Sequence, residues 1–238
     1  DIIDLGFEKG AKLNRKLRYV DFNQGTDISR VTTEKMKLLA KTAIKPLRLA
    51  FDHIELKDRY IDCVRLAVDC GISNLSNYVL YNYTDTPDDF YERLRINVDL
   101  NRELGTHIYS FPMKYIPLDA KDRTYIGRHW NRRLLRGVQC ILLATKGKVG
   151  TNLDFFKAAF GETSDEFIEI AMMPEEYIIN RRQYQNDGAN EWRREFRTLT
   201  ETKKTEFMTI ANEPGSCFEG CEFEDLLVHY DRARERAS

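Results

Sequence analysis

Short segments of branched and aromatic residues alternate with helical patterns in the first half of the chain. The apolar segments cover residues 18–23, 46–51, 75–83 and 107–111. They begin roughly 30 residues apart, which is the length of a βαβ unit. Such segments predict buried strands, because branched and aromatic side chains pack well on a covered sheet. The spacing leaves room for a crossover helix between consecutive strands, so the four strands are predicted to run parallel.

Helical patterns fill the three intervals, at residues 33–42, 57–70 and 87–104. The third pattern has the clearest signals. Thr86 can cap this helix, and Pro87 suits its first position because no intrahelical donor is lost there. Phe90, Leu94 and Val98 recur every four residues, which predicts an apolar face that packs on the sheet.

The pattern changes after Arg128 and no longer contains strand signals. Helical periodicity covers residues 130–144, 152–160, 164–171, 174–184 and 190–211, with a last amphipathic segment at residues 223–230. We therefore predict an α/β protein with four parallel strands followed by an α-helical extension. The predicted boundary divides the chain into residues 1–118 and residues 119–238.

Composition and charge exclude several classes of protein. The chain has 37 basic and 38 acidic residues, so its overall charge gives no reason to expect tight binding to nucleic acid or to an anionic membrane. The apolar run at residues 138–144 is far shorter than the roughly 20 residues that cross a bilayer. Five cysteines favour reduced thiols and a cytoplasmic location. The chain starts at Asp1 without a signal-peptide pattern, which we interpret as a fragment boundary.

Polar residues follow each predicted strand at its carboxyl end. In parallel α/β folds these ends lie at one edge of the sheet, where ligands bind. The candidates are Asn23, Gln24, Asp27 and Arg30 after the first strand, Asp52 and His53 after the second, Asn82, Tyr83, Thr84 and Asp85 after the third, and Met113, Lys114 and Tyr115 after the fourth. Such an array suits a polar small molecule with a flat ring. Asn and Asp at these places also serve as helix caps and turn formers, and this alternative stays open for Asp27 and Asp85.

These segments resemble a known superfamily. The sequences YVDFNQGTD at residues 19–27, LRLAFD at 47–52, YVLYNYTDTPDDFYE at 78–92 and FPMKY at 111–115 are similar to the third to sixth strands of the partial (β/α) barrel in radical S-adenosylmethionine (SAM) proteins. The resemblance covers about residues 18–118, and residues 78–92 are its most specific part. The helical remainder, with RHWN at residues 128–131, resembles the C-terminal extension of one branch of that superfamily.

The resemblance implies two cofactors, SAM and a [4Fe-4S] cluster. In the family the cluster reductively cleaves SAM, and the resulting 5′-deoxyadenosyl radical abstracts hydrogen from a substrate. By this resemblance the ribose and methionine of SAM would contact Asp52 and residues 82–85, and the adenine would contact residues 112–115. The expected cofactor-binding set is Asn23, Gln24, Asp27, Asp52, Asn82, Tyr83, Thr84, Asp85, Met113, Lys114 and Tyr115. Arg30 and His53 are the expected contacts to the substrate.

The cluster-binding motif of that family, CxxxCxxC, is absent from the chain. Cys217 and Cys221 have the first spacing, but Glu224 occupies the third position. Three thiolates are needed when SAM takes the fourth iron, so this chain alone is expected not to cleave SAM. A missing N-terminal barrel half, or a partner, is expected to supply the cluster ligands and to cover the edge of the strand at residues 18–23.

Two other functions compete with this prediction. A metal-dependent hydrolase is disfavoured because the four histidines show neither HxH nor HExxH spacing. A nucleic-acid-binding module stays as the alternative, on two groups of basic residues, namely Arg128, Arg132, Arg133 and Arg136, and Arg193, Arg194 and Arg197 beside Trp192. Solvent-exposed charged helix faces would give the same pattern.

Overall fold

The structure of the protein is a computed structural model that describes residues 1–212 and 220–237, with the side chains described up to residue 231. The chain forms two compact units. Unit 1 contains Asp1–Asp119 and Lys148–Phe156, and unit 2 contains Ala120–Gly147 and Lys157–Ser238.

Unit 1 is built on a parallel sheet of three strands. The strands are β3 (Leu47–Arg48), β4 (Asn74–Tyr81) and β5 (His107–Lys114), in the spatial order β3-β4-β5. β4 and β5 pair along their full length, whereas β3 pairs with β4 over only two residues. The α/β class and the parallel direction are thus confirmed for the last three predicted strands.

The sequence predicts four strands, and the prediction is wrong for the first of them, at residues 18–23. This segment makes only an isolated parallel bridge, Val20 to Ile44, and a second bridge follows at Thr26 and Leu49. A turn between the two bridges interrupts the ladder, because the amide of Gly25 donates to the carbonyl oxygen of Phe22 at 3.0 Å. Gly25 has a φ of 79°, in the left-handed region that glycine adopts at little cost. Among the described residues the sheet does not close into a barrel.

Three helices of unit 1 are those that the sequence predicts, although two end earlier. They are α1 (Thr33–Leu39), α2 (Lys57–Asp69) and α3 (Pro87–Leu104). The bounds of α3 agree with the prediction because its end signals are local. Thr86 and Asp89 form a capping box, and Gly105 ends the helix with a φ of 63°.

The two faces of the sheet carry different side chains, as the period of a strand requires. Leu47, Leu75 and Ile108 are fully buried in one core cluster with residues of α2 and α3. The alternate residues carry polar and aromatic groups instead. The guanidinium carbon of Arg48 lies 5.5 Å from the ring centre of Tyr78, and the same guanidinium donates two hydrogen bonds of 2.7 Å to the carboxylate of Asp21.

A small hairpin precedes the sheet and is not predicted by the sequence pattern. Its strands, β1 (Lys12–Leu13) and β2 (Lys16–Leu17), pair antiparallel. Asn14 and Arg15 connect them with φ values of 50° and 67°, as in the two-residue turns that match the twist of a hairpin. Two-residue strands are too short to show an alternating pattern.

The part of the chain after residue 119 that the structure describes is mainly helical, as predicted. Its helices are α4 (Arg132–Ala144), α5 (Leu153–Phe160), α6 (Ser164–Met172), α7 (Glu175–Ile179), α8 (Arg181–Tyr184), α9 (Asn190–Thr198), α10 (Glu201–Ile210) and α11 (Glu224–Ala237). The predicted helix at residues 190–211 is divided in two, because Thr200 caps α10 by accepting a hydrogen bond from the Lys203 amide. Within residues 1–212 and 220–237, no helix has both the length and the apolar composition to span a membrane.

Candidate functional site

The carboxyl ends of β3, β4 and β5 are connected to one another at one edge of the sheet. The side-chain amide of Asn82 donates to the carbonyl oxygen of Tyr115 at 3.1 Å, and the Tyr115 amide donates to the carbonyl oxygen of Tyr81 at 2.8 Å. Asn82 is fully buried and has a φ of 71°, in the left-handed region that asparagine tolerates better than most residues. These bonds hold the segments after β4 and β5 side by side.

Three rings meet at this edge, and we call them the ring cluster: His53, Tyr83 and Tyr115. The ring centres of Tyr83 and Tyr115 lie 4.4 Å apart, and those of His53 and Tyr83 lie 6.3 Å apart. Tyr83 is 39% exposed, His53 is exposed and Tyr115 is half-buried. The ring cluster therefore offers aromatic faces to a flat or cationic group of a ligand.

The loop that carries Tyr83 is fixed from inside the protein. The amide of Tyr83 donates to Oδ1 of Asp85 at 2.9 Å, and Oδ2 of Asp85 accepts from Nη2 of Arg93 at 3.0 Å. Asp85 is buried, so its carboxylate holds the loop in place. This is the turn-forming role that the sequence left open for Asp85.

Arg93 is a functional candidate that the sequence reasoning missed. Its side chain is 0% exposed and donates to main-chain oxygens at two strand ends. Nη1 donates to Asp52 at 2.9 Å and to Phe51 at 3.3 Å, and Nη2 donates to Leu80 at 2.7 Å. Its Nε donates to the Asp89 carbonyl at 3.2 Å. Burial lowers the pKa of the guanidinium, against the opposing effect of Asp85. The sequence contains a signal for this buried polar group. Residues 93, 97 and 101 are polar and spaced by four, directly beside the apolar stripe at residues 90, 94 and 98.

The candidates after the first predicted strand have other contacts. Oδ1 of Asn23 accepts a hydrogen bond from the Tyr78 hydroxyl at 3.1 Å, which connects it to β4. Asp27 caps the short 3-10 turn at Ile28–Arg30, and the hydroxyl and amide of Ser29 lower the pKa of its carboxyl. Asp27 and Arg30 also line a cavity of about 760 Å³ whose lining includes Asp1 and Leu39 but none of the three rings of the ring cluster.

The remaining candidates are distributed as follows. Gln24, Thr84 and Met113 are exposed, and Asp52 and Lys114 are half-buried. Of the thirteen predicted site residues, the structure links His53, Asn82, Tyr83, Asp85 and Tyr115 directly around the ring cluster, and it brings the main chain of Asp52 to the same edge through Arg93.

The described residues do not fit an iron–sulfur cluster. Within them, no group of three or more His, Cys, Asp or Glu side chains could hold a metal ion. The described cysteines, Cys63, Cys70, Cys140 and Cys221, are free thiols, and Cys217 lies outside the described residues. The chemistry of the ring cluster is compatible with SAM, because that molecule combines an adenine ring with a sulfonium cation, and aromatic faces attract both.

Comparison with known proteins gives no further guide to the site. No protein-family model, no curated protein and no solved structure matches this chain. The geometry of the ring cluster and the residues around it are therefore the basis for a functional proposal.

Proposed function

We propose that unit 1 binds S-adenosylmethionine at the ring cluster and is part of a radical SAM enzyme with a partial barrel. The observation that supports this proposal best is the meeting of His53, Tyr83 and Tyr115 at the carboxyl end of a parallel sheet, with centre-to-centre distances of 4.4 and 6.3 Å. This edge is where parallel α/β proteins bind ligands. Three aromatic faces can stack with adenine and attract the sulfonium cation.

The contacts of the loop residues divide them into two roles. The carboxylate of Asp85 and the amide group of Asn82 already have partners within the protein, so we assign them to holding the loop. Tyr83, Thr84 and His53 are exposed and would contact the ligand. Asp52 has its carbonyl oxygen bonded to Arg93, and its half-buried carboxylate would accept hydrogen bonds from the ribose or the methionine amine.

The proposal assigns binding, and not cleavage, to this chain. Reductive cleavage of SAM needs a cluster, and the residues that the structure describes do not provide three thiolates for one. We propose that the N-terminal half of the barrel supplies these ligands, from the same chain or from a partner. Three large hydrophobic residues in or before the segment at residues 18–23 are exposed, namely Leu13, Leu17 and Tyr19. The N-terminal half of the barrel or the partner would cover them. The free thiols support a cytoplasmic location.

Isothermal titration of the chain with SAM tests the proposal. We expect saturable binding, and we expect Tyr83→Ala to weaken it by about fivefold, because loss of an aromatic contact costs about 1 kcal/mol. Tyr19→Ala is the matched control. It removes a tyrosine that is 49% exposed, next to the bridge between Val20 and Ile44, before β3 begins. Absence of binding by the wild type at about 1 mM SAM, or equal effects of both substitutions, would contradict the proposal.

Nucleic-acid binding is supported less well, because three of the seven arginines on which it depends, Arg136, Arg193 and Arg197, pair with carboxylates inside unit 2. Arg193 and Arg197 pair with Glu169, with a distance of 2.6 Å for Arg197 Nε. Trp192 is fully buried and cannot stack on a base. Arg136 lies 2.7 Å from the carboxylate of Glu175. These contacts leave less free positive charge than the sequence alone indicates.

A further inference from the structure

Arg93 connects the segment that follows β3 to the segment that follows β4. A guanidinium has five N–H donors in a fixed planar arrangement, and Arg93 makes five hydrogen bonds, to four carbonyl oxygens and one carboxylate oxygen. A lysine has three donors on one nitrogen, so it cannot make all five of these bonds. One side chain therefore bonds to both segments.

We infer that Arg93 is a positioning residue that sets the spacing of the two strand-end segments, residues 51–53 and 82–85, around the ring cluster. The inference rests on the proposed function, because the ligand is the one proposed above. Arg93 acts through its neighbours, since its side chain is completely buried. His53 follows directly on Asp52, and Tyr83 lies between Leu80 and Asp85, so a change at Arg93 would move two of the three rings.

Arg93→Lys tests this role, and Asn101→Ala is the matched control. Asn101 lies on the same helix, two turns further along, and is also buried. It holds the other end of the sheet, because its Oδ1 accepts from the Ile108 amide at 2.7 Å and its Nδ2 donates to the Ile108 carbonyl at 3.1 Å. Both substitutions remove hydrogen bonds between α3 and the sheet, but only Arg93→Lys affects the carboxyl ends of the strands.

Titration with SAM separates positioning from stability. We expect Arg93→Lys to raise the Kd for SAM by at least about tenfold and Asn101→Ala to change it by less than about twofold, while both substitutions lower the melting temperature. An unchanged Kd for Arg93→Lys would overturn the inference. So would an equal rise of the Kd in both variants, since that would be an effect of stability alone.

Hydrogen–deuterium exchange without ligand tests the inference independently of SAM. The Tyr83 amide is bonded to Asp85, so we expect faster exchange at residues 82–86 in Arg93→Lys, and again in the milder variant Asp85→Asn, but not in Asn101→Ala. If the wild type does not bind SAM, the proposed function fails and exchange alone decides the role of Arg93. Unchanged exchange at residues 82–86 in the folded variants would overturn the inference, whatever the result with SAM. If Arg93→Lys does not fold, Asp85→Asn alone decides.

Discussion

Replacing Gly137 by alanine should destabilise unit 2, although alanine is the better helix former. Inside a helix such as α4 the exchange of glycine for alanine contributes about 1 kcal/mol of stability by itself. In the structure, however, a Cβ atom at Gly137 would lie 1.9 Å from the carbonyl oxygen of Ala171 and 2.6 Å from its carbonyl carbon. These are main-chain atoms of α6, so no rotation of a side chain can relieve the overlap.

The size of the effect follows from the geometry of this contact. Real Cβ atoms essentially never approach another heavy atom within 3.0 Å, so α4 and α6 must separate by about 1 Å or more. Leu134, Val138 and Ile141 of α4 are at most 1% exposed, and the shift would loosen their packing. Overpacking of this kind costs about 1–3 kcal/mol. The helix propensity of alanine offsets about 1 kcal/mol of this cost, so we expect the free energy of unfolding of unit 2 to fall by up to about 2 kcal/mol.

Tryptophan fluorescence during urea unfolding measures this change, because the chain has 2 tryptophans and both are buried residues of unit 2, Trp130 and Trp192. Gln139→Ala is the control, since Gln139 is an exposed residue of α4 and its replacement removes no buried contact. The midpoint should fall for Gly137→Ala and stay constant or rise slightly for Gln139→Ala. An unfolding midpoint of Gly137→Ala at or above that of the wild type would refute the close approach of the two helices.

Two further predictions concern unit 1. Tyr60→Phe should lower the free energy of unfolding by about 1–3 kcal/mol, because the buried Tyr60 hydroxyl donates to Asn97 at 2.6 Å and accepts from Asn77 at 3.1 Å. Urea unfolding followed by circular dichroism measures this, and a loss below about 0.5 kcal/mol would contradict it. The Arg48 guanidinium holds the pKa of the Asp21 carboxyl below its ordinary value of 3.8, so the pair stabilises above that pH and loses its effect as the pH falls through the lowered pKa. Asp21→Asn should therefore be less stable than the wild type by at most about 1 kcal/mol near neutral pH and equally stable in strong acid; a difference that persists in acid would exclude this ion pair.

The elements that could be predicted from the sequence are those with local signals. The helix at residues 87–104 agrees in both bounds because Thr86, Pro87 and Gly105 act on their own helix ends. The segment at residues 18–23 has the composition of a strand, yet whether it pairs depends on a turn at Gly25 and on the distant residues 43–45. Composition in one short window does not report such long-range pairing.

The sequence can predict that the candidate residues after β3, β4 and β5 lie at one edge, because parallel strands bring their carboxyl ends together whatever residues follow. Which polar groups face a ligand could not be predicted. Asp27 and Asp85 read as possible ligands in the sequence, but each accepts hydrogen bonds from a neighbouring amide in the structure. A carboxylate that caps a turn and one that binds a ligand have the same sequence neighbours, and only their partners in three dimensions distinguish them.

Arg93 shows why a buried charge at this edge is informative. Buried ion pairs contribute little net stability, because the loss of hydration offsets most of the attraction between the charges. The bond between Arg93 and Asp85 is therefore a poor explanation for this arginine on grounds of folding alone. Its other four bonds go to carbonyl oxygens, and three of these, from Phe51, Asp52 and Leu80, belong to the strand ends. A side chain that bonds to two neighbouring strand ends is what a preorganised binding edge requires.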